Sequence, residues 1–587
     1  MSKLSRREFV YMMAVLGAAP VFANSHTRMM DTNKLEDYYK LKPFGNARFL
    51  HMTDCHAQLL PVYFREPSVN LGFYGNYGKP PHIVGEKLLD YYGIKGNKRL
   101  EYAYSCVNFE KHAKAMGRTG GFAQIKTVVD FLTKNFGEDK TLLLDGGDTW
   151  QGSATSLYTR GKDMVGAMNL LGVDVAVGHW EFTYTAEEVL ANVKLLDAEF
   201  LAQNVKVKED SMMNGVEAFD EDTGHAFKPY TIKKMGDARV AIIGQAFPYT
   251  TIANPQRFIP DWSFSINDDG MQELVDEVRE EEKPDAVIVL SHNGYDTDKK
   301  MAEVVTGIDF IMGGHTHDGV PEAYPVKNDG GTTYVCNAGS NGKFLNVLDL
   351  EIKNGKVVDH KFTLLPIFSD LIPEDPSMKK YIEDVRAPYL KELTREIATT
   401  EETLFRRGNF NGSWDQIICD ALIDVKGADI SLSPGFRWGT SVMPGQAITF
   451  DDLMTQTAMT YPETYARDIS GKDIKLILED VADNLFNEDP FYQQGGDMVR
   501  TGGISYRINP TAKMGKRISD ITLTKNGQKL DARKSYKVAG WSTVGSKSPG
   551  EPVWETVETY LQNVKHIANL KIDSPDIIGV KGNPGII

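Results

Sequence analysis

Short apolar runs that end abruptly in polar residues punctuate the first part of the chain. Five stand out. Arg48-Phe49-Leu50-His51-Met52 leads into Thr53-Asp54-Cys55-His56, and Thr141-Leu142-Leu143-Leu144 into Asp145-Gly146-Gly147-Asp148-Thr149. Val173-Asp174-Val175-Ala176-Val177 leads into Gly178-His179-Trp180-Glu181-Phe182-Thr183, Ala286-Val287-Ile288-Val289-Leu290 into Ser291-His292-Asn293-Gly294, and Ile308-Asp309-Phe310-Ile311-Met312 into Gly313-Gly314-His315-Thr316-His317. Runs of this length and makeup read as buried strands, whose C-terminal ends are where α/β folds carry their chemistry. Segments of helical pattern lie between them, among them residues 121–135 and 268–282, the second stopped by Lys283-Pro284. Strands alternating with helices predict a layered α/β domain.

Past Leu365-Pro366 the texture changes. Pro373-Glu374-Asp375-Pro376 precedes a charged helical stretch, residues 378–396, with the character of an interdomain linker. A second domain follows from near Asn409, containing the stretch 414–425 and two glycine-bearing segments, Ser433-Pro434-Gly435-Phe436-Arg437-Trp438-Gly439 and residues 493–506. Two domains also suit a length of 587 residues, too long for one core.

Composition narrows the function classes. A formal net charge of -15 argues against nucleic acid as a partner, since phosphate binding favours a basic surface. The four cysteines, Cys55, Cys106, Cys336 and Cys419, show no paired spacing, so neither a zinc knuckle nor a disulfide framework is indicated and they read as buried small hydrophobes. At the N-terminus Arg6-Arg7, an apolar run and the small residues near Ala23 resemble a twin-arginine export signal over residues 1–23. The expected localisation is therefore periplasmic, with no membrane association after signal cleavage.

The polar residues at the five junctions include Asp54, His56, Asp148, His179, His292, His315 and His317. A single histidine at a strand end is usually structural, but five junctions that agree point to metal. Seven carboxylate and imidazole donors can hold two divalent ions if one carboxylate bridges them, and such a pair grips a tetrahedral centre and makes hydroxide available near neutral pH. Cys55 alternates away from its neighbours on an extended chain and is expected to pack rather than bind.

These motifs, in this order, resemble those of the calcineurin-like metallophosphatases, in particular their two-domain 5′-nucleotidase branch, over roughly residues 45–555. The resemblance implies a four-layer αββα sandwich over 45–366, a helical linker over 367–400, a smaller α/β substrate domain over 401–560 and a tail over 561–587. It also implies one ion on Asp54, His56, Asp148 and His317 and a second on Asp148, His179, His292 and His315, with Asp148 bridging.

The stretch Gly178 to Thr183 departs from that branch, which carries Gly-Asn-His-Glu-Phe-Asp there. His179 replaces an asparagine ligand and can still coordinate. Trp180 replaces the histidine that assists at the phosphoryl group, and Thr183 the aspartate that orients it. Tryptophan has no basic lone pair and cannot act as acid or base. An alkoxide leaving group needs such help, whereas a thiolate, with a thiol pKa of about 8.5, leaves readily without it, so a sulfur substrate with a tetrahedral anionic end is expected. Arg437 lies where nucleotidases place a substrate-binding arginine and is the expected clamp on that anion. By ungapped comparison Tyr461 keeps one of the two base-stacking aromatics while Met498 replaces the other, which would weaken a nucleoside sandwich, and core packing accounts for either residue equally well.

Residues 178–184, the paired arginines and Gln494-Gly495-Gly496-Asp497-Met498 together resemble the SoxB family, the sulfate thiohydrolases of bacterial thiosulfate oxidation. That resemblance implies a hydrolase with two manganese ions, other divalent metals such as zinc being compatible with the donors. It would cleave the terminal sulfonate from a cysteine S-thiosulfonate on the carrier protein SoxYZ, releasing sulfate, with Asp148, Trp180 and Arg437 as catalytic residues and a monomer as the simplest assembly. A narrow channel between the domains is expected for the carrier arm. The rival readings are a periplasmic 5′-nucleotidase or phosphodiesterase with an altered pocket, and a binding protein that keeps its metals for structure.

Overall fold

The computed structural model describes residues 39–587. The export signal expected over residues 1–23 lies outside the described residues. Among those described, no helix is long and apolar enough to cross a membrane.

Among the described residues, fourteen strands precede residue 367. They are β1 (Ala47–Met52), β2 (Thr141–Asp145), β3 (Val175–Ala176), β4 (Glu199–Phe200), β5 (Val205–Val207), β6 (Tyr230–Met235), β7 (Ala238–Gln245), β8 (Trp262–Phe264), β9 (Ala286–Ser291), β10 (Phe310–Gly313), β11 (Tyr324–Asn328), β12 (Gly331–Asn337), β13 (Phe344–Lys353) and β14 (Lys356–Pro366). Twelve of them form two six-stranded sheets, ordered β14-β13-β1-β2-β3-β4 and β11-β12-β10-β9-β7-β6, while β5 and β8 pair separately.

The burial of β9 explains both its sequence and the layering. Every residue of Ala286–Ser291 is buried. Side chains alternate across a strand, so Ala286, Ile288 and Leu290 join the large core shared with Phe49, Leu144 and Met312. Val287 and Val289 point the other way, into a core with Met271, Val275 and Met301 from the helices outside the sheet. A strand covered on both faces must be apolar throughout, which is why it reads as a continuous run. Strand β7 divides the same way, with Val240 and Ile242 in one core and Ala241 and Ile243 in the other. The result is a mixed α/β sandwich with helices such as Phe122–Phe136 and Asp268–Glu277 over its sheets.

The donor-bearing strands are parallel within each sheet, β1 to β2 and β2 to β3 in the first and β9 to β10 in the second. Their C-terminal ends therefore gather at one edge of the sandwich. The remaining chain forms a second α/β unit around a four-stranded sheet in which Ile430–Ser433 lies between Ser535–Trp541 and Arg500–Gly502. Strand Ile430–Ser433 delivers residues 434–438, and Arg500–Gly502 receives the chain from 493–499. Both loops face the donor edge. The connecting helix Pro376–Arg386 buries Met378 and Ile382 in the first core, and the last residues return to the first domain, where the Asn70 N–H donates to the Gly585 carbonyl at 2.8 Å.

Candidate metal centre

Each apolar strand must stop where its chain leaves the sandwich, and five of the seven expected donors sit at sharp left-handed turns just beyond. Asp54 (φ 53°), His56 (φ 44°), Asp148 (φ 56°), His315 (φ 73°) and His317 (φ 60°) all adopt this region. For residues with a Cβ it costs roughly 1–3 kcal/mol each and is held only by surrounding structure, a pattern that concentrates at functional sites. His179 has another unusual backbone, φ -147° and ψ -75°.

The turns bring all seven donors together, buried, in two overlapping groups: Asp148, His179, His292 and His315, and Asp54, His56, Asp148 and His317. Within each group the potential ligand atoms lie within 4.8 Å of one another. Asp148 belongs to both. Its Oδ2 is 3.2 Å from His292 Nε2 and 3.6 Å from His56 Nε2, and His179 Nδ1 is 3.2 Å from the same carboxylate. On the other side Asp54 Oδ1 is 3.2 Å from His317 Nε2, and His56 Nε2 and His317 Nε2 approach to 3.0 Å.

The donor chemistry fits two divalent cations. Burial lowers the pKa of His56 to about 4 and that of His179 below its usual value, and pushes His315 and His317 well below theirs, keeping these imidazoles neutral as coordination requires. His292 goes the other way: burial opposes its protonation, but Asp148 and Asp54 raise it to about 10, so the paired carboxylates call for positive charge between them. Burial likewise raises Asp54, whereas Asp148 is drawn well below the carboxylate range, against burial, by His179, His292 and His56. His179 Nε2 and both ring nitrogens of His315 are buried without a hydrogen-bond partner, a costly arrangement for a site with no ion to bind.

Glu181 organises the loops that carry these donors, a role sequence reading missed although the residue lies inside the quoted motif. Its buried carboxylate accepts from the backbone N–H groups of Asp148 (3.2 Å), Thr149 (2.7 Å), Trp150 (3.1 Å) and His179 (2.8 Å). One side chain thus fixes the loops after β2 and β3 relative to each other.

The second domain closes over this edge. Trp180, 5% exposed, packs edge-on against Phe436 at 5.3 Å and Trp438 at 4.6 Å between ring centroids. Thr183, at the position of the missing aspartate, accepts from Gln151 Nε2 and donates to the Trp180 carbonyl at 2.6 Å. Gln151 Oε1 in turn accepts from the Thr460 N–H at 3.0 Å, and Thr460 Oγ1 donates to the Thr183 carbonyl at 2.6 Å. The loop at Gly495 comes so near that a Cβ there would lie 2.6 Å from His315 Nε2, and its φ of +84° also favours glycine.

Between the domains lies a cavity of about 440 Å³ lined by His56, Asp148, His179, His315 and His317 together with Trp180, Phe247, Phe436, Arg437, Trp438 and Trp541. Every imidazole on its wall belongs to the donor groups. Arg437 donates to the Gly496 carbonyl at 2.8 Å and lies 3.5 Å from Asp497, which leaves the guanidinium edge on the cavity. Arg407, not anticipated from sequence, is nearby; it donates to the Thr316 carbonyl at 2.8 Å and to Asp318 at 2.9 Å.

Core packing, the reading left open for Tyr461 and Met498, is the one the structure shows. Tyr461 is 1% exposed with its hydroxyl donating to Asn254, and Met498 is 0% exposed in a core around Ile430 and Leu432, so neither lines the cavity. All four cysteines are free and buried.

Comparison with known proteins adds three relationships. Residues 396–555 match the family described as 5′-nucleotidase, C-terminal domain. The sulfate thiohydrolase SoxB of Thermus thermophilus, solved in complex with glycerol, is 33% identical, with a TM-score of 0.84, covering 92% of this chain and 98% of that one. Among curated proteins, the bovine 5′-nucleotidase is 29% identical over 55% of this chain, and the trifunctional nucleotide phosphoesterase YfkN of Bacillus subtilis 27% over 70%. The match spans only 57% and 30% of those two proteins' own lengths.

Proposed function

The chain belongs to the 5′-nucleotidase family with the calcineurin-like phosphoesterase fold, and from that premise we propose that it is an exported dinuclear metal hydrolase acting on a sulfur–sulfur bond. The substrate is a cysteine S-thiosulfonate on a carrier protein of the SoxYZ type. Water is consumed, the bond between the terminal sulfonate and the adjoining sulfur breaks, sulfate is released and the carrier keeps a persulfide. The observation that carries this reading is a complete donor set beside a cavity that offers no further imidazole, with Trp180 and Thr183 where an assisting histidine and its aspartate would stand.

Asp54, His56, Asp148 and His317 would hold one ion and Asp148, His179, His292 and His315 the other. Two divalent ions bound there, manganese by family likeness, supply charge neutralisation for the sulfonate oxygens and activation of water. Arg437 binds the anionic end and orients it. Trp180, held between Phe436 and Trp438, excludes bulk water from the reacting end and shapes a slot for an extended chain. No residue need protonate the departing sulfur, because a persulfide leaves as an anion. Export by the twin-arginine route is part of the same proposal.

A second reading, a nucleotidase or phosphodiesterase, is favoured by the Phe436 and Trp541 rings in the cavity, 5.6 Å apart, which offer faces to a base. Purified manganese-loaded enzyme given thiosulfonated carrier, and separately nucleoside monophosphates, separates the two. Sulfate release well above that of an Asp148→Asn variant supports the first, and turnover of nucleotides alone replaces it with the second.

A further inference from the structure

Two cavities meet at His315, one of the seven donors. Besides the aromatic one between the domains, a second of about 390 Å³ opens on the other side of the loop at Gly495-Gly496. The two share His315, Arg437, Asn484, Gly495 and Gly496, so a thin glycine partition separates them beside a candidate ligand. The close approach of Gly495 to His315 leaves no room for a side chain in that partition.

Their walls differ in charge. The aromatic cavity carries Arg437 against Asp148, Asp480 and Asp497. The second carries six Lys and Arg side chains against four carboxylates; Lys299 pairs with Asp296, Lys300 with Asp489 and Arg407 with Asp318, so its positive excess rests on Lys79 and Lys327 at the mouth, in a protein of net charge -15. Arg407 is 4% exposed; its Nη2 donates to both the Thr316 carbonyl and Asp318, and its Nε is buried without a partner. A buried guanidinium with a donor left over suits a tetrahedral oxyanion.

We infer that the second cavity is a separate opening of the metal centre through which the tetrahedral oxyanion product leaves, passing from Arg437 to Arg407 and out past Lys79 and Lys327. This rests on the hydrolysis proposed above. The leaving group and the chain attached to it fill the aromatic cavity, so an anion freed at the donor edge is blocked there and repelled by Asp480 and Asp497. The cationic opening lets it depart while the carrier is still bound. For a thiosulfonate the anion is sulfate and for a nucleotide it is phosphate; the site reads only their shared shape and charge.

Two experiments decide it. Crystals of the metal-loaded enzyme soaked in selenate, a heavier tetrahedral oxyanion, are expected to show anomalous density against Arg407 in the second cavity; density confined to the metal edge or the outer surface overturns the inference, whatever the substrate proves to be. With whichever substrate class turns over, the product oxyanion is expected to inhibit in a mixed pattern, lowering kcat as well as raising apparent KM. Lys79→Glu combined with Lys327→Glu is expected to raise the product inhibition constant about fivefold, with kcat/KM in the absence of product unchanged. Purely competitive inhibition, untouched by that double variant, removes the second opening. Failure of both substrate classes removes the hydrolase reading alone, since the selenate result stands independently.

Discussion

The donor groups and the wall that covers them face each other across one cavity, but they are built differently. The donors stand at the ends of five strands whose apolar runs are fixed by two shared cores, and each donor follows its strand within a few residues of sequence. The wall joins Trp180 and Thr183 of the first domain to two loops of the second, and holds by contacts that cross the domain boundary: Trp180 on Phe436 and Trp438, Thr183 through Gln151 to Thr460. The first region is tied to metal chemistry that many substrates can use. In the proposed reaction the second would decide which leaving group is served, because it sets packing surface where the nucleotidase pattern has an acid catalyst.

Breaking the donor side should have the largest effect. Asp148→Asn removes the carboxylate common to both groups, and metal content and turnover are expected to fall together by more than the roughly 100-fold typical of losing a supporting residue. Retention of two ions per chain by that variant would contradict the assignment. The wall is tested by restoring what it displaced. Trp180→His with Thr183→Asp should raise phosphomonoester hydrolysis by roughly 100-fold, the contribution of a placed general acid, while leaving thiosulfonate hydrolysis without gain. An equal rise for both substrates would mean that the sulfur leaving group needs a proton after all.

The same contrast explains how much could be read in advance. Strand β9 and the residues Ser291-His292-Asn293-Gly294 beyond it announce themselves because a strand buried on both faces has no polar positions until it emerges. The layered sandwich and the gathering of seven donors follow from that local signal repeated. Arg407, Gln151 and Thr460 carry no comparable signal, since each acts on a partner more than 85 residues away in sequence. For Tyr461 and Met498 the sequence leaves stacking and core packing equally open, because alternation and periodicity cannot distinguish a side chain on a cavity from one beneath it, and the structure places both in the core. Glu181 lay in plain view, but that it accepts four backbone N–H groups becomes apparent only once the loops after β2 and β3 are adjacent.

Glu181 offers a finer cut between the two regions, since it supports the donor loops without lining the wall. In Glu181→Gln the amide NH₂ must face N–H groups that now point at a carboxylate. Metal affinity is expected to drop about tenfold, read by competition with a chelator, with the Trp180 contacts to the second domain preserved and the tryptophan fluorescence of the folded state unchanged.

The smallest effect should come from a pair behind the donors. Arg160, following helix Ala154–Thr159, donates to both oxygens of Glu188 at 2.7 Å, and Glu188 also closes a capping box with Thr185 at the start of helix Ala186–Leu195. The pair therefore ties the segment after Asp148 to the segment after His179, away from the second domain. Hydrogen bonds from Arg160 hold the Glu188 carboxyl at about 2, below its usual 4.5. A carboxyl lowered on folding binds fewer protons in the native state, so its stabilisation is present above pH 4.5 and is lost as pH falls toward 2. Both side chains are about a third exposed, which limits the contribution to about 1 kcal/mol. Glu188→Gln should cost that amount in denaturant melts at pH 7 and progressively less as pH falls from 4.5 toward 2. A constant deficit across that range would show that the capping box rather than the ion pair carries the stability, and that acid does not loosen the donor scaffold through this contact.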